Sequence, residues 1–62
     1  MDKYIVNRIS ETEDVKKELF KKLGNALQSE NVDEVFSLSV RLFNNEERLR
    51  ELKVLKYGRI YG

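Results

Sequence analysis

Val35, Leu38, Leu42, Asn45, Leu49 and Leu52 stand three and four residues apart in strict alternation through the second half of the chain. Steps of three and four set successive side chains on one stripe of an α-helix, the spacing by which one helix packs along another. A strand, whose faces alternate every two residues, cannot use that spacing. No Pro interrupts the 62 residues, and the three Gly stand at 24, 58 and 62, so long helices are allowed almost throughout. The ladder predicts an all-α protein built on helix-to-helix seams.

Ser10 followed by Glu13 has capping-box spacing and predicts a first helix over about 11–28. Its apolar residues Val15, Leu19, Phe20, Leu23, Ala26 and Leu27 fall within about 140° of arc at 100° per residue, opposite a charged face with Lys16, Lys17, Glu18, Lys21 and Lys22. Gly24 inside this helix costs about 1 kcal/mol relative to Ala, and reads either as a close helix crossing or as a tolerated surface position. Residues 1–9, with Tyr4, Ile5, Val6 and Ile9, read as an N-terminal arm or a short helix packing across the bundle.

Ser29 to Asn31 is the predicted connection, with Asn31 as N-cap and Glu34 three residues on completing a second capping box. So short a link folds two helices antiparallel. The second helix is expected over about 32–57, with Gly58 after its last turn and a C-terminal tail over 58–62.

Val32, Val35, Phe36, Leu38, Val40, Leu42 and Phe43 spread over about 200° of that helix, wider than one partner covers. Leu49, Leu52 and Leu55 lie on a stripe turned by about 100° from it. Either the helix breaks near Asn44 and Asn45, with Asn44 capping a third helix, or it runs on and its second half packs against a neighbouring subunit with Asn45 as a polar layer. The continuous helix is preferred, since neither Gly nor Pro marks a turn there. Ser39, near the centre of the wide arc, is expected to bond back to the Val35 carbonyl, with a small residue for close helix approach as the alternative.

A single domain of this size buries only about 60% of the surface of its unfolded chain. Small domains compensate with disulfides, a metal or a second subunit, and a chain without Cys or His is left with the third. The expected architecture is a helical hairpin dimerising into a four-helix bundle. The lack of Cys fits a reducing compartment, and no apolar run approaches the roughly 18 residues of a membrane span, so a cytoplasmic protein with no membrane partner is expected.

Charge is unevenly placed. Residues 48–62 carry five basic side chains and one acidic, a net +4, whereas residues 1–47 carry seven basic and ten acidic, a net −3. The basic end nominates Arg48, Arg50, Lys53, Lys56 and Arg59 for phosphate contact and Tyr57 and Tyr61 for stacking on a nucleic acid. The competing explanation is the preference of cations for the last turns of a helix, which accounts for Lys53 and Lys56.

Without His or Cys the chain has no imidazole base, no thiol nucleophile and none of the usual transition-metal ligand sets. The acidic pairs Glu13–Asp14, Asp33–Glu34 and Glu46–Glu47 sit where first helical turns are expected, so they read as caps rather than acid/base pairs. No catalytic residue, cofactor, metal or small-molecule substrate is expected. Ser39, Val40, Arg41, Leu42 and Phe43 share a Ser and a Leu with the motif of the sporulation aspartyl-phosphate phosphatases, but Phe stands where that family has its active Asp. In length and mid-chain turn the chain is similar to the plasmid copy-control hairpin that dimerises and binds RNA, without a shared motif.

The reading that results is a small non-enzymatic regulatory or adaptor protein, of a type frequent among phage, plasmid and bacterial regulators. It is expected to act by protein–protein interaction, as a homodimer and on another protein, through Val35, Phe36, Leu38, Leu42, Phe43, Leu49 and Leu52. The alternative is a nucleic-acid-binding regulator working through residues 48–59.

Overall fold

The computed structural model describes residues 3–58. Two helices, α1 (Lys3–Gln28) and α2 (Val32–Tyr57), pack side by side as an antiparallel hairpin. Each has 26 residues, about 39 Å at 1.5 Å per residue, in a molecule 43 Å long.

The connection between them is tight because two residues do several jobs. Asn31 N–H donates to Ala26 O at 3.0 Å and Glu30 N–H to Leu27 O at 3.1 Å, the crossed pair that closes a Schellman helix end. Glu30 is the left-handed residue this motif needs, at φ 56°. The Asn31 side chain then accepts from Glu34 N–H at 3.2 Å and caps α2. Asn31 thus ends one helix with its backbone and starts the next with its side chain. Since its N–H is already taken by Ala26, the reciprocal half of the expected capping box does not form.

The first helix starts eight residues before the expected boundary. Residues 3–9 are not an arm: they form the opening turns of α1, and Ser10 lies in mid-helix. Burial explains why the local capping signal loses. Ile5, Ile9 and Thr12 continue the stripe of Leu19, Leu23 and Ala26, with Ile9 and Thr12 buried and Ile5 half-buried. Thr12 satisfies its hydroxyl by donating to Arg8 O at 2.6 Å, so it is tolerated inside a helix.

A longer α1 changes the role of α2. The helix runs unbroken through Asn44 and Asn45, and its second half finds its partner within the chain. Leu38, Leu42 and Leu49 are buried, with Val35, Asn45 and Leu52 half-buried along the same stripe. Leu19, Ala26, Leu38 and Leu42 form the core, flanked by Leu23 and Val35. Asn45 is a polar layer, but an intramolecular one: its Nδ2 donates to Thr12 O at 3.1 Å. The second stripe looks rotated because Val32, Phe36, Val40 and Phe43 widen the first arc; these four are exposed, as is Leu55, while Leu49 and Leu52 share the seam with Leu38 and Leu42.

Gly24 meets nothing within 4 Å of where a Cβ would stand, so within the hairpin it marks no close crossing. Gly58 follows α2 at φ 74°, ψ −163°, a region open essentially to Gly alone. Residues 59–62 of the expected tail lie outside the described residues.

Candidate interaction surfaces

Two sides of the hairpin differ in chemistry. On one, Lys16 Nζ lies 2.8 Å from Glu46 Oε1 and Lys53 Nζ 3.8 Å from Glu13 Oε2, so ion pairs bridge the helices in the half farther from the turn. Glu46 Oε1 is shielded from water yet off hydrogen-bond geometry with Lys16, which makes the contact an ion pair rather than a directed bond. The Lys16 contact holds the Glu46 carboxyl below its usual range against the opposing effect of lost solvation, and the charges of Lys16, Lys53 and Arg50 act in the same direction as the contact.

On that same side, at about 100° per residue, stand Phe20 and Leu27 of α1 and Val32, Phe36 and Phe43 of α2, all in the half nearer the turn. Their exposures are 53%, 58%, 76%, 72% and 66%. With aromatic side chains of 150–250 Å² each, this leaves roughly 600 Å² of apolar surface in water. Monomers rarely expose larger contiguous patches than about 300–600 Å². Ser39 lies among these residues, exposed, and its hydroxyl forms no bond to the Val35 carbonyl.

The opposite side of the seam carries a shallow groove of about 320 Å³ lined by Val15, Leu19, Arg41, Asn44, Asn45 and Arg48. Neither Arg41 nor Arg48 has an ion-pair partner among the described residues.

The expected interface residues therefore divide. Leu38, Leu42 and Leu49, with the half-buried Val35 and Leu52, are consumed by the intramolecular seam and are not surface; Phe36 and Phe43 remain available. Phe20, Leu27 and Val32 belong with them: the sequence sets Phe20 and Leu27 in the apolar arc of the first helix, where nothing separates them from its core residues, and Val32 in the over-wide arc of the second. The signal was the width of the apolar arc, which exceeds what a single partner helix covers.

The expected nucleic-acid surface is dispersed. Arg48 faces the groove, while Arg50 lies about 160° round the helix from it and pairs with Glu47 at 2.7 Å. Lys53 faces Glu13, and Lys56 sits 5.0 Å from the ring centre of the exposed Tyr57. Arg59 and Tyr61 lie outside the described residues.

Among the described residues no group of three or more metal-ligating side chains comes together, and no helix is long and apolar enough to cross a membrane. The fold defines the class as an antiparallel helical hairpin with one apolar face uncovered. Compared with protein-family models, with curated proteins and with solved structures, the chain matches none.

Proposed function

We propose that this chain is a small cytoplasmic regulatory or adaptor protein without enzymatic activity, working by protein–protein interaction as a homodimer in a four-helix bundle. The observation that carries the reading is the exposed Phe20, Leu27, Val32, Phe36 and Phe43 face. A core as small as Leu19, Ala26, Leu38 and Leu42 with its flanking residues gives a lone hairpin little stability, and covering the face removes apolar surface from water at about 25 cal/mol per Å². Two such faces together bury roughly 1,200 Å², the lower end of specific interfaces.

Sedimentation equilibrium from 1 to 200 μM tests this. A concentration-dependent dimer is expected for the natural chain. Phe36→Ser with Phe43→Ser is expected to sediment as a monomer that is still helical at low temperature, since neither side chain lies in the intramolecular core, and that melts below the natural chain because the stability supplied by the second copy is gone. A natural chain that stays monomeric throughout refutes the homodimer.

The second reading, a nucleic-acid-binding regulator, draws support from Arg41 and Arg48 facing one groove without counter-ions. An electrophoretic shift that weakens steeply with salt and is lost in Arg41→Ala with Arg48→Ala would favour it.

A further inference from the structure

We infer that the second copy docks on the Phe20, Leu27, Val32, Phe36 and Phe43 face with both inter-helix turns at the same end of the dimer. The inference rests on the homodimer proposed above and adds its symmetry.

The face is unevenly divided along its length. Its turn-proximal half carries the five exposed apolar side chains, and its far half carries the Lys16–Glu46 and Glu13–Lys53 pairs. A two-fold axis along the hairpin sets apolar half on apolar half and ion-paired half on ion-paired half, so the charged groups keep polar neighbours. A two-fold axis across the hairpin can overlap the full faces only by laying Phe20, Phe36 and Phe43 on the ion pairs. It then covers the four charged groups of each chain with apolar rings, a desolvation loss that their mutual attraction does not reliably repay. If the chains slide apart to avoid this, only the short apolar halves overlap, and the interface stays at the lower limit of about 1,200 Å² without the added contact of the far halves that an axis along the hairpin supplies.

The arrangement along the axis also matches large residues to small. Because Asn45 is level with Thr12, Ser39 comes level with Phe20, and Val32 with Leu27, to within about half a turn. Under an axis along the hairpin, Phe20 of one chain therefore meets the short, unbonded Ser39 of the other, and Leu27 meets Val32. Gly24, bare on its outer side, lies between Phe20 and Leu27 and lets the partner helix approach.

The chain has no Cys, so single-cysteine variants can carry spin labels without background. Gln28→Cys labels the turn end and Glu51→Cys the open half, both at exposed positions away from the face. Double electron–electron resonance on each labelled homodimer reads the distance between identical sites. With turns together, both distances are expected below about 30 Å. With turns at opposite ends the two sites are separated along the axis by about 30 Å, so in every register at least one pair lies about 30 Å or more apart along the axis alone, and farther once the width of the dimer is added. A dimer with either distance above about 30 Å overturns the symmetry and leaves the homodimer standing. A monomer by sedimentation overturns both. Loss of dimer signal on adding Phe36→Ser and Phe43→Ser to the labelled chains is the expected control, and its persistence would move the interface elsewhere and overturn the inference.

Discussion

Glu30 is held at φ 56° by the Schellman turn that ends α1, and this makes a quantitative test of the connection. An L-residue in the left-handed region costs roughly 1–2 kcal/mol from the contact of Cβ with the neighbouring carbonyl. Replacing Glu30 with Gly removes that penalty and keeps both turn bonds, which are backbone bonds of 3.0 and 3.1 Å. Gly also widens the unfolded ensemble at a cost of about 0.5–1 kcal/mol. The net expectation is a gain of about 0.5–1 kcal/mol, or roughly 3–6 °C in Tm for a domain of this size. Glu30→Ala is the necessary comparison, because it removes the charge and retains the Cβ. Thermal denaturation followed by circular dichroism, with all chains at one concentration so that self-association is held constant, should place Glu30→Gly above Glu30→Ala. If Glu30→Gly is equal to or below Glu30→Ala, the left-handed turn is not where the strain resides and the account of the connection fails.

Removing the cap with Asn31→Ala should cost about 1 kcal/mol, seen as a lower urea midpoint at unchanged slope; no loss would show that the Glu34 bond contributes nothing. Ile9→Ala and Leu49→Ala remove buried side chains and should each cost at least about 2 kcal/mol, enough to unfold most of so small a chain at 37 °C. Were Leu49→Ala to weaken only dimerisation at high concentration, the extended α1 would be in error. Asn45→Ala deletes a half-buried bond to Thr12 O and should lower stability by about 1 kcal/mol, measurable by urea denaturation, with a stabilised variant as the contrary result. Because the Glu46 carboxyl titrates lower in the folded chain than its ordinary 4.5, its stabilising contribution is complete above that value and is lost as pH falls through the folded-state value. Glu46→Gln should flatten the stability profile on the acid side of pH 5, and identical profiles for the two chains would remove the Lys16 pairing from the account.

The class of fold and the turn could be read from residues in order along the chain. The three-and-four ladder defines a helical stripe whatever it packs against, because the periodicity belongs to the helix itself. Asn31 followed by Glu34 marks a helix start by a bond made within one turn. Glu30 carried no such mark: a Gly would have announced the left-handed position, and the chain places Glu there instead.

What the ladder packs against was not local information. Ser10 and Glu13 form a sound capping signal, yet burial of Ile9 and Thr12 draws the helix through it to Lys3, and a capping preference of about 1 kcal/mol does not outweigh two buried positions. That extension decided everything downstream. With α1 as long as α2, Leu49 and Leu52 found a partner inside the chain, and the surface left for others moved to Phe20, Leu27, Val32, Phe36 and Phe43. The sequence alone determined that the chain makes two helices with more apolar surface than one seam can hold. Only the tertiary structure decided which residues the seam takes and which remain exposed, because burial depends on the length and level of a helix distant in the chain.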